Sequence, residues 1–500
     1  MRIALIQPAK LDDKSSAAKD WSLCRPLSLL YLSRAIQNTS LHECEIFDLE
    51  LIFATESDFD VESMIASLNF DVYGITATTF TRHEAIAVIK MIRKYHPAKK
   101  IIVGGVHFMY CDVDTLTKIP EVDIVVRGEG EKIIVDLLDA LQMSVSLDNV
   151  SGITYRDTIG DVKKNPDTEL FEDLDNIDIY NLMLPIDYTE YLMGSAELIP
   201  AVSIMTSRGC PFKCVFCSKA GMKYRHRSTQ SVIKELKYYV RECGITSFNF
   251  LDLTFTANPQ RSKDLCQAII DEGLNIQWWC ETRANVPLEL ISLMKQAGCR
   301  YIVVGVETGA ASVLDRIQKG ITLDQVERLF SYTKEHGIET SAYFMCSHIG
   351  ETFDNAMETV RFIDRIERVY GVSTTLQPCI IFPGTGIEDI AKASGALSSS
   401  FSWADEFHDP RNAELGQVTT IPLFLDCLTR EQIHEILLKK RKSSAMRSRY
   451  KKLSLDYFRV ALKAHGLKEL LKIVIDDFCT MISNNMHFVK KQSHETGSKN

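Results

Sequence analysis

The chain writes one pattern twice: short apolar runs alternate with longer amphipathic stretches, first over residues 2 to about 140 and again from about 200 to 385. Runs that are apolar throughout must be buried on both faces, and the helical-period stretches between them supply the cover. Each block therefore reads as a parallel sheet with helices packed on it. In the first block the strands are "RIALIQP", "CEIFDLE", "VYGITATT", "KIIVGGVH" and "VDIVVRG", and the helices are "PLSLLYLSRAIQ", "RHEAIAVIKMIRKYHP" and "GEKIIVDLLDAL". In the second, the strands "AVSIMTS", "SFNFLDL", "NIQWWCE", "YIVVGVE", "ETSAYFMCS" and "STTLQPCIIF" alternate with amphipathic helices from "TQSVIKELKYYVREC" to "FDNAMETVRFIDRIERVYG".

The predicted fold class is α/β. It comprises a doubly wound, Rossmann-like parallel sheet over residues 1–142, a linker with a small hairpin over 143–198, and a partial (β/α)6 barrel of the TIM type over 199–390. A mainly helical region over 391–488 and a structureless tail over 489–500 follow. In such folds ligands bind beyond the carboxyl ends of the strands. That edge of the first sheet collects small and polar residues: Thr76 to Thr79, Gly104-Gly105-Val106-His107 and Arg127-Gly128-Glu129-Gly130. Their glycines allow a large ligand to approach the backbone, but the spacing matches neither a phosphate loop nor a dinucleotide fingerprint.

Charge narrows the class further. A net charge of -9 and a pI near 5.8 argue against a general nucleic-acid binder. No apolar run approaches the 18 or so residues that span a bilayer, and the opening residues read as a strand instead of a signal peptide, so a cytoplasmic location is expected. Most of the 14 cysteines stand alone in apolar segments, as at Cys280, Cys346 and Cys379, which is the habit of reduced, buried thiols.

"RGCPFKCVFCSKAG" is the exception, with Cys210, Cys214 and Cys217 in the loop after the first barrel strand. Structural zinc takes four protein ligands, and no second cysteine pair follows at finger-like spacing. A redox dithiol would use Cys214 and Cys217 and leave Cys210 without a task. An iron-sulfur cubane has four irons, so three thiolates leave one iron open to a small molecule.

"CPFKCVFC", with Phe216 before the last cysteine, resembles the cluster loop of the radical S-adenosylmethionine enzymes. Together with "PLSLLYLSRAI", "VGGVH" and "VRGEGE", it makes residues 1 to 390 similar to the cobalamin-binding branch of that superfamily. The resemblance implies a 4Fe-4S cluster on Cys210, Cys214 and Cys217, whose open iron chelates S-adenosylmethionine and whose electron cleaves it to a 5'-deoxyadenosyl radical. It implies cobalamin over Thr76, Thr78, Thr79, Gly104, Gly105, His107, Arg127, Gly128, Glu129 and Gly130. It further implies S-adenosylmethionine contacts from Phe216, Asp252 (amino group), Arg283 (carboxylate), Glu307 (ribose), and Pro383, Gly384 and Thr385 (adenine). "RHRS", with Arg225, Arg227 and Ser228, follows the cluster loop as in relatives.

Two places depart from the family's pattern. "FDLELIFAT" has no histidine to ligate cobalt from below, so cobalamin is expected without a histidine from that loop. "FMCSHIGET" puts Cys346 and His348 where relatives carry a glycine-rich turn with a proline; a packed Cys346 and a solvent-facing His348 are expected. The function implied is methyl transfer from cobalamin to an unactivated carbon of a small-molecule substrate, with an external electron donor of the flavodoxin or ferredoxin type. Oxidative ring formation or rearrangement with the same cofactors, methylthio transfer, and a cofactor sensor without catalysis are the alternatives. Residues 390 to 425, serine-rich and acidic, read as a loop over the active site, "LLKKRKSSAMRSRYKK" as a basic helix face and 455–482 as two amphipathic helices.

Overall fold

The computed structural model describes residues 1–9, 25–39, 41–56, 59–176, 179–180, 192–193 and 199–452, with backbone alone for 192–193, 199–200 and 443–452. The C-terminal helices expected over 455–482 and the tail lie outside the described residues. The chain divides into two compact units, Met1–Leu437 and Leu438–Asn500. In the second unit the described residues are helical to Lys452, in agreement with the basic helix read there. Everything below concerns the first unit.

Its N-terminal sheet runs Glu43–Asp48, Arg2–Gln7, Val72–Thr76, Lys100–Gly104 and Ile124–Val126, all parallel. The pleat sorts each apolar run onto two faces. Ile3, Leu5, Val72, Ile102 and Val126 pack with Leu29, Ile36, Ile134 and Leu137 of the helices Leu27–Gln37 and Gly130–Gln142. Ala4, Ile6, Tyr73, Ile75 and Val103 pack with Ala85, Ile89 and Ile92 of the helix Arg82–Tyr95 on the other face. Each Ile or Leu so buried contributes about 1.5–3 kcal/mol.

The hairpin assigned to the linker is a correction. Ile153–Arg156 pairs antiparallel with Ile124–Val126, and Val162–Lys164 pairs with it in turn, so the hairpin forms the sixth and seventh strands of this sheet. Capping the exposed edge of Ile124–Val126 satisfies a row of backbone groups that a linker would leave bare.

The second sheet has six parallel strands in sequence order, Val202–Ile204, Ser247–Phe250, Gln277–Thr282, Cys299–Glu307, Glu339–Cys346 and Ser373–Pro378. The sheet's first and last strands stay unpaired to each other, as a partial barrel requires. One large core, including Phe248, Phe250, Trp278, Ile302, Val304 and Phe344, joins it to the surrounding helices. Capping boxes at Thr322 with Gln325 and Thr352 with Asn355 fix where two of those helices start.

The serine-rich segment is pinned down. Asp114 Oδ2 accepts from Ser402 Oγ (2.9 Å) and Trp403 N (2.9 Å), and Trp403 Nε1 donates to Glu388 Oε1 (2.7 Å). It therefore straps the first sheet's Asp112–Lys118 helix to the barrel's Gly386–Ser394 helix.

Candidate active site

The cysteine loop is closed at its base by a two-residue antiparallel ladder, Ser207–Arg208 with Arg225–His226. Gly209 turns out of that ladder at φ +81°, and a side chain there would collide with the Lys223 carbonyl oxygen. Inside the loop, Gly221 N donates to Phe212 O (2.7 Å), Cys217 N to Cys214 O (3.1 Å), and Val215 N to Ile317 O (3.2 Å). These bonds hold Cys210, Cys214 and Cys217 on one short stretch of constrained backbone. Cys214 is buried and the other two are half-buried. Burial, foremost, pushes the Cys217 thiol up, and its two neighbouring thiols add to this. Among the described residues no three His, Cys, Asp or Glu side chains converge as ligands of one ion.

Arg283 is the basic residue beside the thiols. Its guanidinium lies 3.8 Å over the Phe212 ring, and Nη1 donates to Cys214 Sγ at 3.5 Å. Nε and Nη2 are buried without a partner. Glu307, at φ +74°, is ion-paired with Lys319 Nζ (2.6 Å), whose ammonium stands 5.8 Å from the Phe216 ring. Thr385 caps the Gly386–Ser394 helix, and Gly384 N donates to Glu388 Oε2 (2.7 Å), so the "FPGT" turn is rigid beside the loop.

One expectation, the exposure of His348, is corrected here, and Asp252 has partners of its own within the protein. Asp252 accepts from Thr206 N (2.8 Å), Ser207 N (2.6 Å) and the Thr206 hydroxyl, and lies 3.7 Å from Arg261. Three of its carboxylate's acceptor positions are thus taken up in fixing the strand end that launches the cysteine loop. His348 is fully buried, not solvent-facing: Nε2 sits 3.4 Å from the Glu307 carbonyl oxygen and the ring 6.1 Å from Phe216. Burial pulls it down to about 4 and pushes the neighbouring Glu351 up to about 7. Cys346 is packed, as expected.

A cavity of about 410 Å³ opens from the carboxyl edge of the first sheet onto this loop. Thr76, Gly104, Gly105, Gly128, Glu129 and Gly130 line one wall, and Ser207, Arg208, Gly209, Lys219, Leu251 and Leu253 the other. Four residues expected at this edge turn elsewhere. His107 is buried against Phe108 and Trp403, with Nδ1 3.3 Å from Thr79 Oγ1, and burial followed by the Arg82 charge pulls it down to about 3. Thr79 is buried with it, and Thr78 closes a turn with Thr81. Arg127 is drawn away by Asp112, Asp167 and the carbonyls of Ile153 and Asn165.

Glu129 lines the cavity, but its carboxylate is held by Arg225 in a two-pronged pair (2.9 and 2.6 Å), with Arg208 at 3.6 Å. Sequence reasoning also missed Lys219, Leu251 and Leu253. Leu251 and Leu253 are 39% and 45% exposed just past a strand end, an apolar surface that a large planar ligand would cover. Their alternation with Asp252 in "FLDLTF" was the available signal.

A wound sheet and a partial barrel that share one cavity, with a three-thiol loop on its rim, define a class of enzyme that brings two large cofactors together. Residues 204–363 match the radical SAM superfamily, and residues 18–138 match the B12 binding domain. The chain is 33% identical over 381 residues to an uncharacterized methyltransferase of Pyrococcus horikoshii, covering 74% of this chain and 79% of that one. It is 28% identical to the anaerobic magnesium-protoporphyrin IX monomethyl ester cyclase of Rubrivivax gelatinosus, over 72% of this chain and 65% of that one. The radical S-adenosylmethionine methyltransferase TsrM of Kitasatospora setae, solved with tryptophan and a SAM analog, shares the fold at TM-score 0.67 and 20% identity, covering 88% of each chain. The chain belongs to the cobalamin-binding branch of the radical SAM superfamily and is an enzyme of that family, whose cofactors are a 4Fe-4S cluster, S-adenosylmethionine and cobalamin.

The residues present fit those groups. The two orphaned donors of Arg283 beside Cys214 suit an anionic group at the thiols. The space above Gly128, where a side chain would meet nothing within 4 Å, belongs to a cradle with apolar walls. No helix among the described residues is long and apolar enough to cross a membrane.

Proposed function

We propose that this enzyme is a methylase acting on an unactivated carbon of a small-molecule substrate, supplied with electrons by a flavodoxin- or ferredoxin-type donor in the cytoplasm. The observation that carries the reading is the single cavity bounded by both the B12-domain strand ends and the cysteine loop. In this reading Cys210, Cys214 and Cys217 hold the cluster, and Arg283 pairs with the carboxylate of S-adenosylmethionine. Thr76, Gly104, Gly105, Gly128 and Gly130 face the corrin. Lys319 neutralises Glu307, so Glu307 offers its outer oxygen to a ribose hydroxyl and brings no net charge. When bound, the cluster supplies the electron that cleaves S-adenosylmethionine, and cobalamin supplies the methyl group.

The protein's part is geometry and dryness. Leu251 and Leu253, with Leu5, Leu29 and Ile134, give the cavity apolar walls that keep water from competing for the reacting groups. Asp252 fixes the loop's entry and Phe216 wedges its exit against Ala310, Val313 and Ile317. The name and 79% coverage of the P. horikoshii relative support methyl transfer over the ring formation named for the cyclase.

Anaerobic reconstitution with iron, sulfide and hydroxocobalamin tests the reading. After reduction and addition of S-adenosylmethionine, natural protein should yield 5'-deoxyadenosine and S-adenosylhomocysteine. A variant with Ala at positions 210, 214 and 217 should yield no 5'-deoxyadenosine. Cobalamin binding and 5'-deoxyadenosine without S-adenosylhomocysteine would transfer the assignment to ring formation.

A further inference from the structure

The cysteine loop is gripped at both ends by the B12-binding domain. At its base, Arg208 and Arg225 reach Glu131 (2.5 Å) and Glu129, which sit in the Gly128–Glu131 turn of the cavity wall. At its far end the grip is Tyr110. This residue follows the helical turn Gly105–Phe108, whose Gly105 and Val106 form the cavity wall, and its Oη donates to the Ser218 carbonyl oxygen at 2.5 Å.

Tyr110 makes two further contacts. The Lys219 ammonium stands 5.6 Å from its ring centroid and 3.8 Å from Met109 Sδ, and Lys219 and Met109 both line the cavity. The ring also lies against Gly384 so closely that any side chain there would overlap it, and Gly384 is held at φ +73°. One side chain of the B12-binding domain thus touches the residue after Cys217 and the turn at the barrel's rim.

We propose that Tyr110 is a positioning residue that couples the two cofactor sites, so that cobalamin in the cavity and the cluster on the cysteine loop strengthen each other's binding. The proposal rests on the cofactor placement given under Proposed function. A ligand that packs on Gly105, Val106 and Met109 restrains the turn that carries Tyr110, and the Tyr110–Ser218 bond passes that restraint to the backbone beside Cys217. By linkage the effect is reciprocal, and couplings of this kind are typically about 5–150-fold.

The test compares hydroxocobalamin affinity, by equilibrium dialysis of the full chain, with and without reconstituted cluster. Iron release to a chelator is followed with and without cobalamin. In natural protein the cluster should tighten cobalamin about tenfold, and cobalamin should slow iron release. Tyr110→Phe keeps the ring on Gly384 and loses only the hydroxyl, so both ratios should fall towards one while cobalamin affinity of the cluster-free protein stays as in the natural chain. Equal ratios in natural and variant protein, ratios of one in the natural protein, or a variant that loses cobalamin equally in both forms would each overturn the coupling. Natural protein that loads neither cofactor would instead overturn the cofactor placement itself.

Discussion

Arg283 holds its guanidinium between the Phe212 ring, at 3.8 Å, and the Cys214 sulfur, 3.5 Å from Nη1, and leaves Nε and Nη2 buried and unpaired. A buried guanidinium with spare donors is costly unless a ligand completes it. Arg283→Lys keeps the charge but loses the planar fork, so affinity for S-adenosylmethionine should fall about tenfold or more, the usual scale for breaking a charged hydrogen-bond pair. Iron content after reconstitution should stay near that of the natural protein. Unchanged affinity in anaerobic calorimetry would remove Arg283 from the cosubstrate site.

Gly209 should be as necessary as the cysteines it precedes. At φ +81° a side chain is strained, and the Lys223 carbonyl occupies the space it needs. Gly209→Ala should therefore move the loop's two arms apart and lower cluster iron several-fold, while far-ultraviolet circular dichroism stays unchanged. Full iron incorporation in this variant would show that the ladder Ser207–Arg208 with Arg225–His226 does not set the loop.

The barrel was legible because its strands are short runs rich in aromatic and β-branched residues, set between helices mostly long enough to show their period. Three seven-residue helices, Leu49–Thr55, Val61–Ser67 and Asp112–Lys118, were not, since two turns carry too few apolar positions; the caps Asp48 and Asp60 were the clue to the first two. The hairpin at Ile153–Lys164 was visible as a hairpin, but its pairing with Ile124–Val126 depends on contacts far along the chain. The cysteine loop announced itself by spacing. The directions of His107, Asp252 and His348 did not, because each is set by a distant partner: Trp403, Thr206 and Glu307.

Glu129 should act as a bolt between domains more than as a cobalamin ligand. Burial alone would raise its carboxyl, but the Arg225 hydrogen bond and the Arg208 and Arg225 charges outweigh this and hold it below the ordinary 4.5. A depressed carboxyl contributes stability that is present above its unfolded value and lost as pH falls through the folded one. Natural protein should thus lose stability below about pH 4.5, and Glu129→Gln should show a flatter acid limb in urea unfolding. Glu129→Ala, which strands Arg225 in a buried site, should cost about 3–5 kcal/mol at pH 7. A loss below about 1 kcal/mol would mean the pair is solvated like a surface bridge.

Glu351 carries the opposite sign. Burial lifts it to about 7, against backbone hydrogen bonds from His348 and Ser347 and the Arg316 charge, and its Oε1 has no partner. A raised carboxyl stabilises the fold fully below its unfolded value near 4.5, and that contribution is lost as pH rises through 7. At pH 8 the native state therefore bears a buried negative charge, at a cost on the order of 3 kcal/mol. Glu351→Gln preserves the acceptor for His348 N (3.0 Å) and removes the charge. The variant should be more stable than natural apoprotein at pH 8 by roughly 1–3 kcal/mol and equal to it at pH 4. Parallel stability curves across that range would show that Glu351 titrates as an ordinary carboxylate, and that the turn replacing the family's proline carries no electrostatic penalty.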